Sequence, residues 1–275
     1  MGVYWVCCRR SVFRALTGGC VKDRYGLTIE SPWTEETELK LLVFGQSNAG
    51  KTVFAATAVD DVRSAPVLFL DFELGTLSIR HKRAVQLHRI VDADGFDQVY
   101  RVLVDHAYDE DFPYKTLVVD SLTRWSEYEM TRILSKPGPT RRDAPQTPSI
   151  ADWNTWTNLM NERLKLLTTL PMNVIMTALE ETENGVTIPL LKGRKLAPQI
   201  NQFFDVVGRL SVVRMTDSKT GVTEYQRRLL LQGDERIRVR DRTDGTSQLE
   251  PELADPTMGR ILDRLAVADK LAAEA

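Results

Sequence analysis

This 275-residue chain encodes an α/β fold, a mainly parallel sheet flanked by helices with antiparallel β-strands toward the C-terminal part. Two patterns point there. Short apolar runs bounded by turn residues, such as Leu41-Leu42-Val43-Phe44 and Leu117-Val118-Val119, alternate with segments of helical period. That is how strands covered on both faces read. Beyond Asp205 successive strand-like runs are joined by glycine-containing turns, which favours antiparallel pairing at one edge.

The elements follow in order. Residues 1–35 show no sustained periodicity and end in Ser31-Pro32-Trp33, so they read as a loosely structured N-terminal extension. Leu39 to Phe44 predicts a buried strand, and Lys51 to Val59 an alanine-rich helix. Val67-Leu68-Phe69-Leu70 predicts a second strand, Ala84–Ile90 a weaker one, and Ala93–His106 a helix with Phe96, Val99, Val102 and Leu103 at helical spacing. Thr116–Val119 is the third clear strand, followed by a helix for which Ser121 is a possible cap. A basic, proline-rich loop spans 135–149, and Trp153–Leu170 is a helix striped by Trp156, Leu159, Met160, Leu164 and Leu167. Asn173–Thr177 is a fourth buried strand, Asn184-Gly185 a hairpin turn, and Asp205–Met215, Val222–Leu231 and Arg236–Arg240 are strands. Leu253–Ala273 reads as a closing helix. The expected division is an extension at 1–35, one α/β domain at 36–250 and a helical tail at 251–275.

Composition narrows the function. Lys and Arg number 36 against 38 Asp and Glu, so overall basicity cannot drive nucleic-acid binding and only local clusters could. No apolar run approaches the ~20 residues of a membrane span, so no membrane partner is expected. Cys7, Cys8 and Cys20 lack a nearby His for a zinc site and suit free thiols in a reducing compartment. Arg9 and Arg10 follow the apolar start instead of preceding it, the wrong order for a secretory signal, and Val6 spoils a myristoylation motif. The expected location is the cytoplasm.

One motif dominates. Gly45-Gln46-Ser47-Asn48-Ala49-Gly50-Lys51-Thr52 has the P-loop form G-x-x-x-x-G-K-[ST], between a predicted strand and a predicted helix. Gly45 and Gly50 let the backbone curl so that successive N–H groups face phosphate oxygens, and the helix that follows adds its positive end. Lys51 is placed to reach the β- and γ-phosphates of ATP, and the Thr52 hydroxyl to ligate Mg²⁺. A second carboxylate should hold the metal's water shell from a neighbouring strand end, and Asp120, closing Leu117-Val118-Val119-Asp120, fits. Ser121 either bonds the metal's waters or caps the next helix. Hydrolysis also needs a group to orient the attacking water; Glu73 in Asp71-Phe72-Glu73 is the candidate, with Asp71 competing.

Taken together, these segments resemble the RecA-like ATPases, and among them the phage single-strand annealing ATPases of the Sak type. The resemblance is carried by Gly45–Thr52 with Phe54–Ala58, Leu68–Glu73, Tyr114–Thr123, Leu170–Ile175 and Phe203–Gly208, in register over roughly 38–245. It implies a RecA-like P-loop core and a homo-oligomeric ring or filament with ATP at subunit interfaces. It also implies single-stranded DNA as the bound polymer, with a single-strand binding protein as a further partner. Glu73 becomes the water-activating carboxylate and Thr177 the phosphate-sensing position. The sequence departs where Ala178-Leu179-Glu180 follows Thr177 in place of a Gln or Asn, and where Phe72 and Leu74 replace smaller residues.

Two loops match the DNA-facing loops of such proteins by position: 135–149 with Lys136, Arg141 and Arg142, and 181–200 with Lys192, Arg194 and Lys195. Such clusters neutralise phosphates without reading sequence; the last three could instead reach a neighbour's γ-phosphate. Trp153 and Trp156 could stack bases, but helical spacing makes Trp156 a core residue. His81, His88 and His106 share no ligand or triad spacing. The expected function is an ATPase acting on single-stranded DNA in annealing or strand exchange. The rivals are an assembly ATPase with a protein partner and a small-molecule kinase.

Overall fold

The computed structural model describes residues 21–22, 25, 28–29, 38–135, 147–193, 195–216, 223–242 and 250–273. Of the expected N-terminal extension it describes chiefly a small antiparallel pair, β1 (Val21–Lys22) with β2 (Thr28–Ile29). The other ten strands form one sheet.

β3 (Lys40–Gly45) is buried along its length and runs into α1 (Lys51–Ala56), which a 3₁₀ turn at Thr57–Asp60 prolongs. β4 (Val67–Asp71), β5 (Gln86–Arg89) and α2 (Ala93–His106) follow; Asp92 caps α2 by accepting the Gly95 N–H at 2.7 Å. β6 (Thr116–Asp120) leads into α3 (Leu122–Ser135), and α4 (Ile150–Leu167) opens on a capping box between Ser149 and Asp152. β7 (Asn173–Glu183) turns back into β8 (Val186–Pro189) through Asn184 and Gly185, both at positive φ, the tight hairpin their residue types predict. A 3₁₀ segment, Ala197–Phe203, precedes the long β9 (Val206–Thr216), which pairs with β10 (Thr223–Leu230). β11 (Arg240–Asp241), β12 (Glu252–Ala254) and α5 (Met258–Ala273) complete the chain.

The strand order is β12-β10-β9-β3-β7-β6-β4-β5, with β8 paired to β7 and β11 to β9. From β9 through β3, β7, β6 and β4 to β5 every neighbour is parallel, whereas β10 pairs antiparallel with both β9 and β12. Alternation along β3 sends Leu42 and Phe44 to one face and Leu41 and Val43 to the other. The first face packs on α2, α3 and α4 through Phe96, Trp125, Trp156 and Met160; the second packs on α1 and α5 through Phe54, Met258 and Ile261. Wholly apolar strand sequences follow from this double cover.

Two expectations need correcting. Strand structure over Arg236–Arg240 shrinks to β11, because Asp234 accepts the Arg236 and Ile237 N–H groups in a turn. Leu253 begins no helix: it lies in β12, opposite Leu229, so the presumed helical tail contributes an edge strand before α5 starts at Met258. α3 is not purely apolar on its inward face, which carries Ser126 and Glu129 beside Trp125, Met130 and Ile133.

Glu129 is buried because it belongs to a closed ionic ring. Arg163 bridges Glu129 and Asp97, each at 2.5 Å, and Arg132 bridges the same two carboxylates, each at 2.6 Å. Trp125 Nε1 donates a further bond to Glu129 at 3.0 Å, and the Arg163 guanidinium lies over the rings of Phe96 and Tyr100. The ring ties α2, α3 and α4 into one layer. Removing a single member leaves buried charge uncompensated, so Arg163→Ala should lose about 3–5 kcal/mol of stability in a denaturant titration.

At the opposite end of β3, Lys40 is buried with its ammonium donating to Leu170 O at 2.7 Å and Met172 O at 2.5 Å. Burial lowers its pKa to about 8, against the pull of Glu38 and Asp205. The unfolded chain therefore keeps a proton that the native state sheds between about 8 and 10.5, and stability should rise with pH across that window. Melting temperatures of wild type and Lys40→Met between pH 7.5 and 10 check this: wild type gains on the variant as pH rises.

Candidate active site

β3 delivers the phosphate loop to the C-terminal end of the sheet. Gln46, Ser47 and Asn48 are exposed, and the loop closes with Ala49 N–H donating to Gln46 O at 3.2 Å. Two glycines are required. A Cβ on Gly45 would sit 2.2 Å from the Leu210 carbonyl oxygen, and Gly50 has φ 95. Backbone from β9 thus presses on the loop's first residue while its last turns left-handed into α1. The opening N–H groups of α1 have no acceptor within the helix and are free for anionic oxygens.

Lys51 is buried, and its ammonium donates to Gly45 O at 3.0 Å and Gln46 O at 2.8 Å. Burial lowers its pKa, opposed by the carboxylates of Asp120, Glu73 and Glu180. These three come from separate elements: the end of β6, the turn after β4 and the second half of β7.

Asp120 lies beside Asp71 in the β4–β6 register. Its Oδ2 accepts the Thr52 hydroxyl at 2.8 Å and its Oδ1 the Thr177 hydroxyl. Burial pushes its pKa up to about 6, with the two hydroxyls acting against that shift and Glu73 and Asp71 adding to it. A hydroxyl and a carboxylate in contact are hard oxygen donors of the kind that hold Mg²⁺ directly or through water, so the donor set fits that ion. Among the described residues no group of three or more His, Cys, Asp or Glu could hold a metal. Phosphate oxygens and water would supply the remaining ligands.

Geometry also separates the two carboxylates after β4. Asp71 is 1% exposed, and its Oδ1 accepts the N–H groups of Glu73 at 3.1 Å and Leu74 at 2.8 Å, which holds Leu74 at φ 56. Its Oδ2 is buried with no hydrogen-bond partner among the described residues. Glu73 is exposed, and its Oε1 accepts the Ser121 hydroxyl at 2.5 Å. Ser121 Oγ also accepts the Arg124 N–H at 3.3 Å. Ser121 therefore caps α3 and orients Glu73 at once. Asp71 shapes the turn, and Glu73 is the carboxylate open to solvent.

Glu180 pairs with Arg209 of β9 through two bonds, 2.8 and 3.1 Å, and this pairing, with lesser contributions from Gln46 and Lys51, lowers its pKa. Sequence reasoning missed this pair: its members are 29 residues apart on strands that flank β3. Gln46–Ala49 and Arg209–Val212 line a cavity of about 390 Å³ beside the loop.

Among the basic candidates Lys192 and Lys195 are exposed, with the Lys192 N–H anchored on Ser126 Oγ at 3.0 Å. Lys136, Arg141, Arg142 and Arg194 lie outside the described residues. Trp156 is wholly buried, its Nε1 donating to Ser126 O at 2.9 Å, and so belongs to the core.

A family model described as an AAA domain matches residues 37–243. The chain belongs to the AAA domain family. The matched span holds the P-loop, Glu73, Asp120 and Thr177, and this AAA-domain chain is a P-loop ATPase by family. Among solved structures, the flagellar accessory protein FlaH from Methanocaldococcus jannaschii is similar at 11% identity, over 80% of this chain and 87% of that one, with a TM-score of 0.40. No curated protein matches the chain. No described helix is long and apolar enough to cross a membrane.

The crowding at Gly45 is testable. Gly45→Ala must displace either the loop or β9, at a cost of about 1–3 kcal/mol. Its melting temperature should fall and its affinity for ATP should drop sharply, whereas a retained affinity would show that the loop can yield.

Proposed function

We propose that this chain binds ATP with Mg²⁺ at Gly45–Thr52 and hydrolyses it, using the cycle to load on and leave single-stranded DNA during phage-type annealing or strand exchange. The observation that carries the ATPase reading is the convergence at one end of the sheet of Lys51 and Thr52 from the start of α1, Asp120 from the end of β6 and Glu73 from the turn after β4.

The triphosphate is held by the loop amides, and Lys51 leaves the loop carbonyls to meet β- and γ-phosphate oxygens. Thr52 and Asp120, in contact at 2.8 Å, would hold Mg²⁺ directly or through water, and the ion would supply charge neutralisation to the triphosphate. Glu73, oriented by Ser121, positions the attacking water. Thr177 keeps Asp120 in place and stands at the position the resemblance gives to phosphate sensing.

The DNA reading is supported by the sequence resemblance and by the exposure of Lys192 and Lys195 on the segment after β8. With it go a homo-oligomeric ring or filament, a single-strand binding protein as co-partner, and a cytoplasmic setting.

Steady-state hydrolysis with and without single-stranded DNA, at two salt concentrations, tests the proposal. Stimulation that weakens with salt is expected. Hydrolysis indifferent to DNA but raised by a protein partner would replace this reading with that of an assembly ATPase. Lys51→Ala should lose nucleotide binding. Glu73→Gln should keep binding and slow turnover by roughly 100-fold or more; equal turnover removes Glu73 from its role. The pair Lys192→Ala and Lys195→Ala should weaken DNA binding at unaltered basal turnover.

A further inference from the structure

Beyond the phosphate loop, β10 carries one more cation to the same place. Leu229 of β10 is buried on the sheet face that carries α1, packed in one cluster with Phe54 and Leu210. Strand alternation puts Arg227 and Tyr225 on that same face, across from Val212 and Arg214 of β9. The Arg227 side chain lies against the last glycine of the loop: a Cβ on Gly50 would sit 2.3 Å from Arg227 Nε, 3.0 Å from Cδ and 3.2 Å from Cζ. Its guanidinium therefore rests where the loop turns into α1.

Two details mark this arginine out. Its backbone is clamped by Asp255, whose Oδ1 accepts the Arg227 N–H at 3.3 Å and whose own N–H donates to Arg227 O at 2.7 Å. Asp255 takes φ 45 to do so. Yet the guanidinium has no carboxylate partner among the described residues, whereas Arg228 next to it pairs with Glu252 at 2.7 Å and Arg209 pairs with Glu180 at 2.8 Å. Alongside, on the same face, Tyr225 is 72% exposed and Val212 44% exposed. An unpaired guanidinium flanked by an exposed aromatic ring and an aliphatic side chain matches an anion joined to a flat, π-faced group.

We propose that Arg227, Tyr225 and Val212 form the nucleoside-side wall of the nucleotide site, with Arg227 taking the phosphate nearest the ribose and Tyr225 and Val212 holding the base. This rests on the reading of Gly45–Thr52 as a triphosphate site. The ligand is a nucleoside triphosphate, and the wall is supplied by the same chain that supplies the loop. Arg227 then serves two ends: it shields the strained turn at Gly50 and fixes where the phosphate chain leaves the loop.

The test uses the full-length protein and two probes, ATP and inorganic tripolyphosphate, with affinities read by calorimetry. Wild type that binds neither probe overturns the triphosphate reading itself. Given binding, Tyr225→Ala should weaken ATP about tenfold or more and leave tripolyphosphate unchanged, because the inorganic probe has no base. Arg227→Ala should weaken both probes, and Arg227→Lys should restore tripolyphosphate more than ATP, because an ammonium keeps the charge and loses the planar fork. Arg228→Ala, a neighbour on the other face of β10, should bind both as wild type does and controls for damage to the strand. ATP affinity at the wild-type level in both Tyr225→Ala and Arg227→Lys overturns the proposal. So does a change of oligomeric state in Tyr225→Ala with unaltered ATP affinity, which would make this face a contact between copies of the chain.

Discussion

A carboxylate buried between two hydroxyls governs the site. Asp120 ends β6 deep in the sheet, and Thr52 and Thr177 each donate a hydroxyl to it. A carboxylate removed from water costs free energy unless its oxygens are bonded. The two threonines meet that need, and in doing so they lock the first turn of α1 and the middle of β7 to the end of β6. The loop between β3 and α1 is thereby fixed at both ends, by Gly45 against β9 and by Thr52 against Asp120. Lys51 and Glu73 take their positions from this arrangement.

Around that point the molecule is asymmetric in a useful way. One sheet face meets a layer of three helices bound by the ring of Asp97, Glu129, Arg132 and Arg163. The other meets α1 and α5, a thinner cover that leaves Val212 of β9 and Tyr225 of β10 exposed. Rigid support lies behind the carboxylates, and open strand surface lies beside the loop. A triphosphate with a nucleoside attached needs both: fixed groups at its reacting end and an accessible wall at the other.

Much of this was legible in the residues. The P-loop has fixed identities at fixed spacing, because only glycine tolerates the approach of Leu210 O and the positive φ at Gly50. Asp120 was legible because an apolar strand ending in a carboxylate is itself a pattern. The choice between Asp71 and Glu73 was not, since both follow the same strand and only the hydrogen bonds to the Glu73 and Leu74 N–H groups separate turn former from exposed carboxylate. Glu180 with Arg209, and Arg227 against Gly50, were invisible for a different reason. Each depends on which strands become neighbours, and the order around β3 is a property of the whole sheet. The inward face of α3 was not legible as such because Glu129 is buried as an ion pair, against the usual exclusion of charge from helix faces that pack inward.

The ionic ring bears also on how the chain can vary. The connection from α3 to α4 departs from and returns to helices that the same four side chains hold in register. Its composition and length can change without disturbing β6, because a shift at either anchor must first break a buried charge pair. Change in that connection is thus insulated from the position of Asp120, and the two can diversify on separate schedules.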